Sequence, residues 1–173
     1  MLDRRSALAS VKPYTSAVLQ IGEAKGFSLL QVAGNARAIT PVTGKLPTKV
    51  GVATQSDGRI LMLIGESQFW IVGPETDDLA TKLGDLAVLT PLSHSRTRIF
   101  IEGTPAREVL AKGVPLDFHV SIFKPGMFAM TGIHHTPVLV HCTSDNRFEI
   151  YALRTFALSV YDWLVDAALE FVA

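Results

Sequence analysis

The stretch that decides the fold runs from Ser93 to Gly113 and has the sequence SHSRTRIFIEGTPAREVLAKG. Its residues 96–102 alternate charged or hydroxyl side chains with β-branched and aromatic ones, which is typical of a strand. Gly103 ends that strand. Thr104 is suited to cap a helix, and Pro105 to take the first helical position, where its missing N–H costs nothing. The stretch therefore predicts a strand, a tight turn and a short helix that the closing glycine ends.

A second copy of this pattern lies in the N-terminal half of the chain. Residues 27–37 and residues 97–107 both contain a strand, a glycine, a capping residue and an Ala-Arg pair, with one additional residue in the second copy. A hairpin, a strand and a helix follow in each half, and the hairpins turn at Asp57-Gly58 and at His134. This order predicts an α+β fold of two ferredoxin-like halves that arose by internal duplication. Each half is expected to be an antiparallel sheet with helices on one face.

The predicted boundaries divide the chain into three parts. Residues 1–25 form a loosely attached N-terminal arm, residues 26–90 the first half, and residues 91–173 the second half with a long C-terminal helix. Within the first half, Pro41 is expected to limit a short helix. The apolar run of residues 60–64 predicts a strand that is buried on both faces.

The composition excludes several classes of protein. Only 18% of the 173 residues are charged while 48% are hydrophobic, which indicates either a rich core or additional surface buried in a partner. The net charge is zero, and no basic patch is interleaved with aromatic residues, so we expect neither nucleic-acid nor membrane binding. No run of about 18 apolar residues predicts a membrane span. The single cysteine, Cys142, suits a reducing compartment, so cytoplasmic localisation is expected.

The last predicted helix, residues 155–172, carries two apolar faces. At about 100° per residue, one face holds Phe156, Val160, Trp163, Leu164, Ala167 and Phe171, and the other holds Leu158, Tyr161, Val165, Leu169 and Val172. An acidic stripe lies between them, made of Asp162, Asp166 and Glu170. Such a helix is either buried between the two halves or docked on a partner whose basic residues face the acidic stripe. The candidate interface residues are Leu158, Tyr161, Asp162, Val165, Asp166, Leu169 and Glu170.

No catalytic constellation is found in the sequence. Glycine-rich phosphate loops and the Gly-x-Ser-x-Gly elbow are both absent. His94 has no nucleophile paired with it by sequence, and the arginines around it have no partner for chemistry. Asp117, beyond the central helix, is a candidate for binding an amine or a pterin-type ring in a folate loop, and it is equally suited to capping a turn.

A metal site at the second hairpin is not expected. The pairs His134-His135 and His141-Cys142 flank the turn and could approach each other. Neighbouring residues on a strand point to opposite faces, so four ligands with zinc geometry would not converge. Cys142 is better explained as a small core residue.

Four ordered stretches within residues 25–172 resemble the gamma subunit of heterotetrameric sarcosine oxidase. They are residues 43–47 (TGKLP), residues 63–70 (LIGESQFW), residues 93–97 (SHSRT) with 106–117 (AREVLAKGVPLD), and residues 154–157 (RTFA) with 161–164 (YDWL). The resemblance implies a fold related to the folate-binding domain of the glycine-cleavage T-protein, in which two ferredoxin-like halves pack together.

The resemblance also implies a function. The chain is expected to be a non-catalytic subunit that supports assembly with alpha, beta and delta subunits. The complex is expected to demethylate sarcosine oxidatively with FAD, FMN, NAD and tetrahydrofolate, with zinc elsewhere and with none of these groups in this chain. Two alternatives stay open: a stand-alone folate-binding or aminomethyltransferase-like protein, and a gamma-type subunit of a related N-methyl amino acid dehydrogenase.

The sequence departs from the family pattern at three places. The T-protein relatives carry Asp-x-Ser before the central strand, where this chain has Pro91-Leu92-Ser93. The family's Leu-Gly-Pro-Asp-Glu-Trp is also altered at residues 63–70. Relatives used for folate chemistry carry an Asp in the loop after the central helix, where Asp117 is the nearest candidate but its spacing to Pro125-Gly126 does not match. This departure and the first one weaken the expectation of a folate site.

Overall fold

The structure is a computed structural model that describes residues 5–171, the side chain of Asp77 excepted. In chain order its first elements are β1 (Tyr14–Thr15), β2 (Leu19–Glu23), β3 (Ser28–Gly34), α1 (Ala36–Thr43), β4 (Ala53–Ser56), β5 (Arg59–Gly65), β6 (Gln68–Gly73), α2 (Asp77–Leu83) and β7 (Ala87–Pro91). The remaining elements are β8 (Arg96–Gly103), α3 (Ala106–Ala111), β9 (Phe128–Ile133), β10 (Thr136–Ser144), β11 (Arg147–Leu153) and α4 (Ala157–Ala168). Single 3₁₀ turns at Gly84–Leu86 and Arg154–Phe156 precede β7 and α4.

The chain forms two compact units. The first unit is Gly26–His94, and the second unit combines the described residues before Gly26 with those after His94. The first unit contains a five-stranded antiparallel sheet in the order β4-β5-β6-β3-β7. The second contains a six-stranded antiparallel sheet in the order β1-β2-β8-β11-β10-β9.

The first unit has the ferredoxin-like order with one additional edge strand, β4. Its core lies between one face of the sheet and the helices α1 and α2, and its fully buried residues include Ile39, Leu79 and Leu83 on those helices. Asn35 caps α1 as predicted, because its Oδ1 accepts a hydrogen bond from the Arg37 N–H at 2.9 Å. Because side chains on a strand alternate between the two faces of the sheet, every second residue of β3 packs against these helices.

The second unit repeats that order and takes its fourth strand from the N-terminal segment. The strands β8, β10 and β11 and the helices α3 and α4 follow the first unit's connectivity, with β9 as the additional edge strand. The position that β7 occupies beside β3 is filled beside β8 by β2, in register Ile21↔Ile101. The predicted fold of two duplicated ferredoxin-like halves is therefore confirmed.

The prediction that residues 1–25 form a loosely attached arm is wrong for the described part of that segment. Leu19 and Ile21 are buried in the core of the second unit. Gly103, with φ of 143°, is required there because a Cβ would collide with the carbonyl oxygen of Val18. The pairing of β2 with β8 is long-range in sequence, which is why local patterns did not reveal it.

The start of the central helix differs from the prediction by one residue. Pro105 lies at the N-cap position, α3 begins at Ala106, and no side chain caps it, so Thr104 is not the cap. The Thr104-Pro105 pair is used instead to turn the chain after Gly103. At the other end, Gly113 is needed because a Cβ would collide with the ring of Trp163 on α4.

Two smaller predictions in the first unit also change. Pro41 does not limit α1 but lies inside it. Since proline has no N–H, the carbonyl of Arg37 loses its helical hydrogen bond. Both residues are exposed, so water can bond to that carbonyl instead. The strand of residues 60–64 is buried on both faces only at Leu61 and Met62, since its end residues are half-buried beside the edge strand.

Candidate functional site

The last helix, α4, packs one face into the second unit. Its buried residues are Ala157, Val160, Tyr161, Leu164, Ala167 and Ala168. The helix ends at Ala168, earlier than the sequence predicted, and Val172 lies outside the described residues. The spacing of the buried residues follows the 3.6-residue helical period, so one broad face of α4 is committed to this chain's own core.

The opposite face of α4 presents an apolar and acidic surface, which we call the outer stripe. It consists of Leu158, Asp162, Val165, Asp166 and Leu169, which lie within about 100° of one another around the helix. Leu158 is 49% exposed and Leu169 is 53% exposed, while Val165 between them is half-buried. Large apolar side chains exposed in a row on one helix face are typical of a protein contact.

Tyr161 does not belong to this surface, so its prediction as an interface residue is wrong. The side chain is 4% exposed. Its hydroxyl accepts a hydrogen bond from the Tyr14 N–H at 2.9 Å and donates one to the carbonyl of Lys12 at 2.7 Å. Burial raises the pKa of this phenol. Tyr161 therefore fastens the N-terminal segment to α4 within the chain.

Glu170 is exposed but already paired within the chain. Its carboxylate lies 2.6 Å from the Lys112 ammonium, which also donates to the carbonyl of Ala167 at 2.5 Å and lies over the Phe171 ring. Lys112 thus binds the C-terminal end of α4, where a cation is favourable. Glu170 therefore remains an exposed interface candidate, but its charge already has a partner within the chain.

Asp162 and Asp166 differ from Glu170 because neither forms an ion pair within residues 5–171. The two carboxylates are exposed and four residues apart on the helix, a spacing at which like charges repel. Asp166 also lies in the last turn of α4, a turn that contains no basic residue of its own, and a carboxylate there interacts unfavourably with the helix dipole. The outer stripe therefore carries negative charge that the described chain does not compensate.

Asp117 takes part in a local turn. Its side chain is exposed, and its Oδ1 accepts a hydrogen bond from the His119 N–H at 2.8 Å. This is the turn-capping role that the sequence left open beside the folate-loop role.

The hairpin histidines do not converge on a metal. No group of three or more His, Cys, Asp or Glu side chains within the described residues could hold a metal ion. His141 is 3% exposed, and burial together with the nearby Arg98 charge lowers its pKa to about 4. Cys142 is fully buried in the core, as predicted, and burial raises the pKa of its thiol. His94 is exposed in the loop before β8.

Arg107 has a role that sequence reasoning missed. Its guanidinium donates to the carbonyls of Phe118 at 2.6 Å, Phe123 at 2.9 Å and Asp145 at 2.9 Å, and it lies over the Phe148 ring. These contacts hold the loop after α3 against the core. The sequence offers no signal for them, because a guanidinium beside distant carbonyls leaves no periodic pattern.

Comparison with known proteins gives relatives over most of the chain. A sarcosine oxidase subunit gamma from Corynebacterium sp. (strain U-96) is 31% identical over 143 residues, which cover 79% of this chain and 70% of the relative. The subunit gamma from Arthrobacter sp. is 29% identical over 147 residues, 82% of this chain and 72% of the relative. That from Corynebacterium sp. (strain P-1) is 31% identical over 134 residues, 74% of this chain and 66% of the relative. The chain thus spans 66% to 72% of the length of these curated relatives. No protein-family model matches the chain.

Two solved structures share the fold. A chain of the heterotetrameric sarcosine oxidase from Corynebacterium sp. U-96, in complex with pyrrole 2-carboxylate, superposes with a TM-score of 0.89 at 24% identity, over 98% of this chain and 97% of that one. The glycine cleavage system aminomethyltransferase T from Bartonella henselae gives a TM-score of 0.64 at 15% identity, over 87% of this chain and 46% of that one. Among the described residues, no helix is long and apolar enough to cross a membrane.

Proposed function

The chain belongs to the family of sarcosine oxidase gamma subunits, and we propose that it serves as the gamma subunit of a heterotetrameric sarcosine oxidase type complex. The comparisons confirm the family resemblance that the sequence predicted. In this proposal the chain takes part in sarcosine catabolism as an assembly subunit and carries no catalytic residue of its own. Its partners are the alpha, beta and delta subunits, and the single cysteine suits a cytoplasmic complex.

The observation that carries the proposal is the outer stripe of α4. Its leucines at positions 158 and 169 are about half exposed, although the opposite face of the same helix is fully buried. Covering two half-exposed leucines and Val165 removes apolar area from water, which favours association. The stripe extends over twelve residues, or about 16 Å from its first Cα to its last, so it forms only part of a standard interface of about 800 Å² per partner.

The charge of the outer stripe indicates what kind of partner surface fits it. Asp162 and Asp166 repel each other in the isolated chain, and Asp166 opposes the helix dipole. The acidic residue Asp78 on α2 behaves differently, since it is paired with Arg59 at 2.7 Å and with Lys82 at 3.3 Å. A partner patch with apolar residues at its centre and Lys or Arg at its margin would relieve both penalties on α4.

The cofactors of the proposed complex belong to the other subunits. FAD, FMN, NAD and tetrahydrofolate would supply the oxidation and the one-carbon chemistry there, and this chain would hold none of them. A complex that acts on a related N-methyl amino acid would use the outer stripe in the same way. Separate assays of the purified complex with sarcosine and with N-methylglutamate identify the substrate.

The folate-binding alternative has a direct test. Calorimetric titration of the isolated chain with tetrahydrofolate should give no binding heat, because Asp117 is exposed and engaged in its own turn. Saturable binding at micromolar tetrahydrofolate, lost in Asp117→Ala, would favour a stand-alone folate protein and contradict the proposed role.

Assembly is tested by co-expressing the chain with its alpha, beta and delta partners and by size-exclusion chromatography. The wild-type chain should elute with the complex, and Leu158→Glu should shift most of it to the free fraction, because a buried carboxylate at an interface is costly. Leu86→Glu is the matched control, since Leu86 in the first unit is also 49% exposed.

The result is informative only if both variants fold. Leu158→Glu should keep the wild-type melting temperature within about 2 °C, because surface substitutions change stability little. A gamma chain that never elutes with the partners, or equal assembly of Leu158→Glu and Leu86→Glu, would contradict the proposal.

The acidic residues provide a second and more graded test. Asp166→Asn should stabilise the isolated chain by about 0.5 kcal/mol, because it removes a like-charge pair and an unfavourable dipole interaction. The same substitution should weaken assembly, most visibly at low ionic strength. Thermal denaturation and chromatography of the same preparations measure the two opposite effects. Weakened stability together with unchanged assembly would show that the negative charge serves the chain itself.

A further inference from the structure

Three arginines, Arg5, Arg96 and Arg154, come together in the second unit beside the start of α4, and we call them the basic corner. Arg154 follows β11, whose last residue, Leu153, pairs with Arg96 on β8. The guanidinium of Arg154 donates a hydrogen bond to the carbonyl of Arg5. The carbonyl of Ser95 accepts from the Arg154 N–H at 2.9 Å and from the Arg96 guanidinium at 3.3 Å. Two carbonyl oxygens therefore link the three arginines.

The basic corner is held together by carbonyl groups, which do not neutralise its charge. Arg5 and Arg154 are exposed, and neither forms an ion pair with any residue from 5 to 171. Arg96 is half-buried, and burial lowers the pKa of its guanidinium, because a cation loses solvation there. Arg147 of the same unit differs, since it pairs with Glu102. An external carboxylate would therefore be attracted to the basic corner.

The two ends of α4 differ in how their helix dipole is compensated. At the C-terminal end, Lys112 donates to the carbonyl of Ala167. At the N-terminal end, no side chain caps the helix and its first turn contains no acidic residue. The N-terminal end of a helix carries partial positive charge, which adds to the charge of the arginines beside it.

Apolar side chains connect the basic corner to the outer stripe. Phe156, two residues after Arg154, is 43% exposed, and Leu158, the first residue of the outer stripe, is 49% exposed. The carboxylates of Asp162 and Asp166 lie about two to three turns beyond Arg154. The exposed surface along this segment therefore changes from positive through apolar to negative.

We propose that the basic corner binds an acidic segment of a partner subunit and thereby sets the direction in which that partner lies along α4. This inference rests on the proposed assembly role. A carboxylate of the partner accepts the N–H groups of Arg154 that the Arg5 carbonyl does not occupy. Apolar residues of the partner cover Leu158, and its basic residues face Asp162 and Asp166. A partner turned end to end would place like charges against each other at both ends, which is strongly unfavourable.

The first test is co-expression of Arg154→Glu with the alpha, beta and delta subunits, followed by size-exclusion chromatography over a dilution series. The substitution should weaken association about tenfold or more, because a carboxylate then faces the partner's carboxylate. Arg37→Glu is the matched control, since Arg37 is an exposed arginine of the first unit, and it should associate as the wild type does. Added salt should weaken the wild-type complex more than the Arg154→Glu complex.

A second variant keeps the positive charge and decides the question even if Arg154→Glu fails to fold. Arg154→Lys places an amine in the basic corner, and a carbodiimide couples an amine to an adjacent carboxylate. The coupling forms an amide bond, and the carbodiimide takes up the water that is lost. In the purified complex, mass spectrometry should find a cross-link between position 154 and an Asp or Glu of a partner subunit. The control Arg37→Lys should give no cross-link to a partner at position 37.

The failure of this inference can be distinguished from the failure of the assembly role. Equal association of Arg154→Glu and Arg37→Glu, with Leu158→Glu released from the complex, would overturn the inference and leave the assembly role intact. A cross-link from position 154 only to a second copy of this chain would also overturn it, because the basic corner would then serve self-association. A wild-type chain that never elutes with the partners would contradict the assembly role and this inference together.

Discussion

The two sheets have equivalent strands but opposite chemistry on the face that carries no helix. On the helix side, both units place apolar residues at matching positions: Leu30 and Val32 of β3 correspond to Ile99 and Ile101 of β8. On the other face, the first unit has Leu29, Met62, Trp70 and Val72, and the matching residues of the second unit are Arg98, His141, Glu149 and Tyr151. Shared topology therefore does not require shared polarity.

The polar face of the second unit is stabilised by its own hydrogen bonds. Arg98 lies 3.5 Å from the Glu149 carboxylate and donates to the carbonyl of Ala24, and the Tyr151 hydroxyl donates to Glu149 at 3.2 Å. Burial and the Glu149 charge raise the pKa of Tyr151 above its ordinary value, so the phenol stays a donor. The comparison teaches that a duplicated sheet tolerates charge only where each charged group acquires a partner.

The largest loss of stability is expected at the fourth strand of each ferredoxin-like unit, which is β7 in the first unit and β2 in the second. Ile21 on β2 and Leu89 on β7 occupy matching positions, opposite Ile101 and Val32. Ile21 is fully buried and Leu89 is half-buried. Ile21→Ala should therefore destabilise its unit by about 4 kcal/mol, and Leu89→Ala by about half as much or less. Urea unfolding followed by circular dichroism measures both. A negligible loss for Ile21→Ala would mean that the N-terminal segment is an arm after all.

The two copies of the Ala-Arg pair provide the next test. Arg37 is an exposed residue of α1, whereas its counterpart Arg107 donates to three carbonyls and lies over the Phe148 ring. Arg107→Ala should cost about 3 kcal/mol, because it leaves carbonyls of the loop after α3 without donors. Arg37→Ala should change stability by no more than about 0.5 kcal/mol. The denaturant midpoints of the two variants measure these losses of stability. Equal losses would show that the contacts of Arg107 do not stabilise the loop after α3.

The smallest effect concerns His141, whose counterpart in the first unit is Met62. Its pKa is about 4 in the folded chain and 6.5 by reference, so between these values only the unfolded chain binds the proton. Stability should therefore fall as the pH drops from about 6.5 towards about 4, by at most about 1.4 kcal/mol per pH unit. The His141→Met variant lacks this titration. Its free energy of unfolding should therefore rise relative to that of the wild type, by at most about 1.4 kcal/mol, as the pH falls from about 6.5 to about 5.5. Urea unfolding of both proteins at both pH values measures this change. If the difference between their free energies of unfolding stayed the same at the two pH values, the prediction that His141 titrates would be wrong.

The sequence by itself determined the duplicated architecture. Strand alternation, the hairpin turns at Asp57-Gly58 and His134, and the apolar positions Leu79 and Leu83 are local signals, and each lies where the pattern indicated. The two-faced character of the last helix was also visible from its periodicity alone. These features depend on residues within one or two turns of each other, which is why a linear pattern carries them.

Only the tertiary structure determined which of the predicted interface residues already have partners within the chain. The helical spacing places both Tyr161 and Glu170 in the predicted interface. In the structure, Tyr161 forms hydrogen bonds with Tyr14 and Lys12. Glu170 forms an ion pair with Lys112. The same long-range pairing turned the N-terminal segment into the fourth strand of the second sheet. A side chain's partners across 50 to 150 residues are set by which surfaces pack together, and helical or strand periodicity contains no information about that choice.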